Sequence, residues 1–126
     1  PIAVAYKDHP IAAGLADWTT INEELYNNIQ VMPSAATLAT GVQTLPPRGR
    51  QTEPTEAEAV VAWTNAYGPN KTRIFSTSLG HNNATVGDAR YLDLICRGLL
   101  WTTGNLASDG TPAAGTWLEA EPAASR

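Results

Sequence analysis

The chain has 126 residues, of which 43% are hydrophobic and 16% are charged. That balance is typical of one folded domain rather than of a disordered chain. The net charge of −4 argues against nucleic acid or an anionic membrane as a partner. No apolar run approaches the roughly 20 residues of a membrane-spanning helix. A single cysteine excludes an internal disulfide and leaves two compartments open: the cytoplasm, or the periplasm or exterior if a leader was removed.

The first third of the chain contains short candidate elements. Residues 2–6 are apolar and predict a strand, which Pro10 prevents from continuing because proline lacks the N–H that a sheet needs. Residues 22–26 predict a short helix. Thr20 is a suitable N-cap, and Glu23 follows three residues later as in a capping box.

The middle of the chain predicts a β-hairpin. A second short strand is expected over residues 29–32, and residues 40–58 are rich in glycine and proline and predict an exposed loop. Residues 59–64 and 73–78 are apolar almost throughout, with turn residues between them. We therefore expect them to pair and to be buried on both faces.

The last predicted element is a helix that begins after Asp88 and ends before Gly104, which are good N-cap and C-terminal residues. Leu92, Ile95 and Leu99 fall on one side of such a helix and predict its core-facing stripe. Tyr91, Leu94 and Trp101 are expected to widen that stripe. Beyond it, Ala, Pro, Gly and Ser predict an extended tail, with Trp117 as its docking residue.

Several short motifs occur in a recognisable order. They are Asp-His-Pro-Ile at 8–11, Glu-Leu-Tyr at 24–26, Val-Ala-Trp-Thr at 61–64, Ser-Leu-Gly-His at 78–81 and Arg-Gly-Leu-Leu-Trp at 97–101. Together they resemble the motifs of ThuA-like (trehalose-utilisation) domains over residues 7 to about 105. The tail is similar to those of large secreted bacterial members.

This resemblance implies an α/β fold related to class I glutamine amidotransferases, a flavodoxin-like three-layer sandwich. The family domain is about twice as long, so residues 1–105 are expected to be its C-terminal half, followed by the tail at 106–126. Half of a parallel sheet would expose an apolar strand edge. We therefore expect a homodimer, or a partner chain that covers the edge.

His81 is the leading candidate for chemistry. It follows the predicted strand 73–78, and open α/β sheets bind ligands at the carboxyl ends of their strands. Imidazole also suits proton transfer near neutral pH. In the amidotransferase relatives such a histidine serves a catalytic cysteine, but Cys96 is expected to be a buried, inert thiol. The alternative is that His81 caps the next segment or bonds a loop carbonyl.

Two further residues join His81 in the predicted site. Glu23 and Glu24 cannot both face inward; the resemblance selects Glu24 and leaves Glu23 as a capping residue. Glu24 could orient His81 or His9 as a general base, or all three could bind a divalent metal such as zinc. His9 could instead be a turn histidine with local hydrogen bonds.

Four residues are candidates for substrate contacts: Tyr26, Asn82, Asn83 and Trp18. Hydroxyl and amide groups suit sugars, and an exposed indole could stack on a sugar face. The alternatives are a core tyrosine, ordinary loop asparagines and a core tryptophan.

Three functions remain open at this point. The resemblance favours a sugar-processing enzyme that hydrolyses or isomerises keto-disaccharides such as trehalose derivatives. The alternatives are a non-catalytic carbohydrate-binding module and a fragment stabilised by self-association.

Overall fold

A computed structural model describes residues 1–116. They form an α/β arrangement with one four-stranded sheet and two helices. Every strand pairing is antiparallel, in the order β1-β2-β3-β4. The strands are β1 (Ile2–Val4), β2 (Ala36–Leu45), β3 (Thr55–Tyr67) and β4 (Thr72–Thr77), and the helices are α1 (Asn83–Val86) and α2 (Ala89–Thr102).

The predicted hairpin is confirmed as β3 and β4, which pair from Ala62 opposite Thr77 to Tyr67 opposite Thr72. The prediction of a loop over residues 40–58 is wrong at both ends, because β2 and β3 pair as far as Leu45 opposite Thr55. The prolines and the glycine that break strands are confined to the connection at 46–54. The residues on either side of it are free to form the ladder.

Two short elements predicted in the first third of the chain are absent. Residues 22–26 are irregular, and residues 29–32 join no strand. A five-residue helix is marginal unless its neighbours stabilise it, and Glu23 directs its carboxylate away from the Thr20 cap towards Asn82. A strand of four residues likewise needs a partner, and both Ile29 and Met32 are exposed.

Helix α2 begins and ends as predicted. The Asp88 side chain accepts a hydrogen bond from the amide of Arg90, and Gly104 has a φ of 79° after the C-cap. The predicted core stripe is wrong for Leu92 and Leu99, which are 46% and 64% exposed, but it is confirmed for Leu94, which is 1% exposed. Gly98 causes the difference, because the absence of a side chain lets β4 approach that side of the helix.

The same orientation of α2 places the thiol of Cys96 outside the core, so the expectation of a buried thiol is wrong. The core itself lies between the sheet and the segments that cross it. Its most buried members are Ile11, Leu38, Val61 and Leu94.

Strand β4 lies at one edge of the sheet, and its residues are exposed or half-buried, so the expectation of burial on both faces is wrong for this strand. Because the described strands are antiparallel, the parallel edge from which we expected a partner is not present among them. A homodimer or partner chain stays a prediction.

The described part of the tail folds back on the domain. The amide of Ala107 bonds the carbonyl of Thr111, and Gly110 lies against the Arg97 side chain. The predicted boundary near residue 105 remains untested, and the predicted docking by Trp117 lies outside the described residues. Of the two helices in residues 1–116, neither is long and apolar enough to cross a bilayer.

Candidate functional site

His81 and Glu24 meet in the structure, as the sequence predicted. His81 Nδ1 lies 3.3 Å from Glu24 Oε2. His81 reaches this position through the sharp bend that follows β4, where Gly80 has a φ of 108°. A Cβ at Gly80 would also come within 2.6 Å of the Tyr91 hydroxyl. Glycine is therefore required for the bend that presents the imidazole.

The contacts of Glu24 define the state of the imidazole. The hydroxyl of Tyr26 donates to Glu24 Oε2 at 3.1 Å, which is the oxygen that faces His81. Nδ1 is the ring nitrogen of His81 that lies at this carboxylate, which can only accept hydrogen bonds. Nε2 is on the other side of the imidazole ring. The hydrogen bond to Glu24 and the charge of that carboxylate raise the pKa of Tyr26, which keeps its hydroxyl a donor.

Glu23 has a different role from the capping residue that the sequence predicted. Its Oε1 accepts from the amide of Glu24 at 3.2 Å, and its Oε2 accepts from the amide of Asn82 at 3.4 Å. Burial by itself would raise the pKa of Glu23. The nearby Thr85 hydroxyl, the two amides and the charge of His81 outweigh that effect and lower it. Glu23 therefore stays ionised beside the His81–Glu24 pair.

A cleft of about 270 Å³ adjoins this pair. Glu23 and Glu24 form part of its wall, and its charged side chains in the described structure are these two carboxylates. The floor includes Gly41, where a Cβ would approach Val61 Cγ1 to 2.9 Å. The remaining polar wall consists of uncharged hydroxyl and amide side chains: Thr19, Thr20, Asn22, Gln43 and Thr44. Such groups suit a neutral hydroxylated ligand.

His9 occupies a separate place, between β3 and α2. Its ring centroid is 5.1 Å from that of Trp101, and its Nε2 is 3.5 Å from the Thr64 hydroxyl. The amide of Ile11 donates to Nδ1 at 3.2 Å, so Nδ1 is unprotonated and the ring is neutral. Burial, followed by the positive charge of Arg73, lowers the pKa of His9.

The predicted metal group is not assembled. Across residues 1–116, no three histidine, cysteine, aspartate or glutamate side chains are grouped so that they could hold a metal ion. Glu24 and His81 supply two such groups, while His9 makes its contacts with Trp101, Thr64 and Ile11. The chain's own residues thus do not fit the zinc site that His9, Glu24 and His81 were expected to form.

The four predicted substrate-contacting residues lie in three different places. Asn82 caps α1, since its Oδ1 accepts from the amide of Ala84 at 3.0 Å, and Asn83 is exposed at the start of that helix. Trp18 is only 6% exposed and belongs to the core, so a stacking role on a sugar face is wrong for this residue. Tyr26 lies in the site itself, where it holds Glu24.

Comparison with known proteins places this geometry in a family. The family model ThuA, described as trehalose utilisation, matches residues 1–102. The chain belongs to the ThuA family. No curated protein and no solved structure gives a significant match. The matched region contains all four strands and both helices of this ThuA domain, together with His81, Glu24 and the cleft. Family membership indicates a role for this chain in trehalose utilisation and carbohydrate metabolism.

Sequence reasoning missed part of the ThuA cleft. Gln43 and Thr44 lie in the segment that was expected to be an exposed loop, and Thr20 was considered only as a helix cap. No local pattern marks Gln43 and Thr44, because they are consecutive residues near the end of β2 and the cleft forms only where that strand meets residues 19–25. Glu23 was missed because its contact with Asn82 joins residues 59 positions apart in the chain.

His9 gives this ThuA domain an expected acid sensitivity. Its pKa in the folded state lies below the ordinary value of 6.5, so the unfolded state binds the proton more readily. The stability contributed by neutral His9 is complete above about pH 6.5 and is lost as the pH falls through that value towards the folded pKa. Thermal melts of the wild type should therefore shift down between about pH 7.5 and about pH 5, and His9→Gln should reduce that shift. The variant His81→Gln, which keeps His9, serves as the control; an equal shift in the His9 variant would contradict the assignment.

Proposed function

We propose that this ThuA domain binds a neutral sugar in the cleft beside β2 and acts on it with His81 as a general base. The observation that carries the proposal is the 3.3 Å contact between His81 Nδ1 and Glu24 Oε2, because Glu24 is part of the cleft wall. In the proposed reaction Glu24 accepts a hydrogen bond from Nδ1 of the imidazole, which fixes the tautomer and leaves Nε2 to act on the substrate. The family supplies the substrate class, and the geometry supplies the base.

The free Nε2 of His81 supports two reactions on a keto-disaccharide. It could remove a proton from a water molecule, which attacks the anomeric carbon as the glycosidic C–O bond breaks, and the imidazolium then gives that proton to the departing sugar oxygen. It could instead remove the proton on the carbon next to the ketone, which begins an isomerisation. Both require one base and one bound sugar, and Glu24 stabilises the imidazolium that forms in either case.

The charge of the cleft restricts the substrate. Its two carboxylates, Glu23 and Glu24, would repel a sugar phosphate or a sugar acid, and the hydroxyl and amide side chains along its wall are uncharged. The uncharged amide and hydroxyl groups of residues such as Gln43 and Thr20 can exchange hydrogen bonds with sugar hydroxyls. We therefore propose a neutral disaccharide as the ligand.

A binding module without turnover is the second candidate. The observation that favours it is exposure: the side chains of His81 and Glu24 are 63% and 51% accessible. Active sites exclude water to strengthen their electrostatic interactions, whereas a carbohydrate-binding surface can stay open. The further idea of a fragment stabilised by self-association stays a prediction.

We also propose that the described residues belong to a flavodoxin-like sandwich. The described residues provide one sheet with α2 packed against β4, and family membership is the support for placing them in a larger three-layer domain. Parallel strands next to β1 or β4 would be needed to complete that architecture.

Titration with trehalose and its keto derivative, followed by amide NMR spectra, tests the proposed site. The amides of Thr20, Glu24 and Gln43 should shift as the ligand saturates the cleft, and trehalose phosphate should produce weaker shifts at equal concentration. The groove between Phe75 and Leu99 on the other side of the domain provides the internal control. Shifts confined to that groove, or no shifts with either sugar, would contradict the proposal. Binding without any turnover of the keto sugar would select the binding module.

A further inference from the structure

The Glu23 carboxylate connects the two halves of the His81–Glu24 pair. One of its oxygens accepts from the amide of Glu24 itself, and the other accepts from the amide of Asn82, the residue next to His81. The segment that carries Glu24 precedes β2, whereas His81 follows β4. These segments are separated by 59 residues of chain at this contact. A single side chain thus joins the two backbones that bear the pair.

We propose that Glu23 is the positioning residue of this site and holds the backbone of residue 82 at the distance at which His81 meets Glu24. The inference rests on the proposed function for its catalytic consequence alone. The geometric consequence, the placement of the His81 ring, can be observed without any substrate.

The chemistry of the contact explains why a carboxylate is needed. Both partners of Glu23 are backbone N–H donors, so both of its ends must accept. Glutamine would turn an NH₂ group towards one of these donors and lose that hydrogen bond. Aspartate is shorter by one methylene and would not span the same two amides. The buried Thr85 hydroxyl, which has no fully formed hydrogen bond in residues 1–116, also lies near this carboxylate.

The electrostatics agree with a positioning role. Glu23 and Glu24 place two negative charges beside one imidazole, and like charges so close together repel. Hydrogen bonds from amides compensate Glu23, while Tyr26 and His81 compensate Glu24. Both carboxylate oxygens of Glu23 thus accept from backbone amides, and Glu24 is the carboxylate that faces the His81 ring.

The test compares Glu23→Gln with the matched control Glu53→Gln, which makes the same charge change at an exposed position. Two readouts need no substrate: the ¹⁵N shifts of the His81 ring, which report its tautomer, and hydrogen exchange at the Asn82 amide. In Glu23→Gln the fraction of His81 rings that carry the proton on Nδ1 should fall. The Asn82 amide should exchange with solvent about tenfold faster. The control should match the wild type in both measurements.

Kinetics on a keto-disaccharide supply the third readout. Glu23→Gln should lower kcat about tenfold with little change in KM, because a misplaced base affects the chemical step more than binding. An unchanged His81 tautomer together with unchanged Asn82 exchange would overturn the positioning role, whatever the activity. If no sugar is turned over by the wild type, the enzymatic proposal fails, and the two spectra still decide the role of Glu23. Equal melting temperatures of the two glutamine variants establish that the comparison is between folded proteins.

Discussion

Gly98→Leu should destabilise the chain by about 3 kcal/mol, the upper part of the range for overpacked cores. Gly98 is the point at which α2 touches β4. A Cβ built there approaches Phe75 Cγ to 2.6 Å and two other atoms of that ring still more closely. The helix cannot rotate to relieve the clash, because Leu94 on the same side is 1% exposed and packed in the core. Urea unfolding followed by circular dichroism measures the loss.

Three variants make this result specific. Gly98→Ala should cost less, because the gain in helix propensity of about 1 kcal/mol offsets part of the overlap. Gly87→Ala is the matched control, since its Cβ would come no closer than 3.4 Å to any atom. Combining Phe75→Ala with Gly98→Ala should cost less than the sum of the two single losses, because the ring that overlaps the new methyl group is gone. Destabilisation by Gly98→Leu no greater than that by Gly87→Ala would contradict the packing described here.

Helix α2 shows which parts of the fold could be predicted from the sequence and which could not. Its ends followed from local chemistry, since an aspartate that caps and a glycine with positive φ act within one turn. Its orientation did not, because the periodicity of Leu92, Ile95 and Leu99 indicated an apolar stripe without indicating which face meets the sheet. The close approach at Gly98 decided that question, and it depends on Phe75 in another element.

The strands show the same division. The hairpin of β3 and β4 was predictable because its turn and its apolar residues are adjacent in sequence. The pairing of β2 with the first half of β3 could not be predicted, because the nearby glycine and proline residues are typical of a loop. The two strands stabilise each other only once they are paired. Family resemblance suggested parallel strands, whereas the described pairings are antiparallel throughout.

The site was predictable to the extent that motifs identify single residues. Glu24 and His81 were both selected, and the structure places them in contact. His9 was selected on the same grounds but lies beside Trp101, because a His-Pro sequence fixes the backbone and says nothing about the direction of the ring. Glu23 was predicted to cap a local helix, because the sequence does not show that the amide of Asn82, far along the chain, is one of its partners.

His81→Gln should lower kcat on a keto-disaccharide by about 10²- to 10⁴-fold, the usual contribution of a general base. The ring is exposed and outside the core, so the variant should melt within a few degrees of the wild type. His9→Gln is the matched control, because it replaces the other imidazole and should leave kcat unchanged. Full activity in a folded His81→Gln protein would remove His81 from the mechanism.

A double-mutant cycle on kcat with Glu24→Gln and His81→Gln tests the central claim most directly, because Glu24 is held to act through His81. Glu24→Gln alone should lower kcat about tenfold or more, since it removes the acceptor that fixes the ring. The double variant should be no slower than His81→Gln alone, because a residue that acts only through the imidazole has nothing left to do once that imidazole is gone. Losses that multiply in the double variant would show that the two residues act independently, and would contradict the pairing on which the proposed function rests.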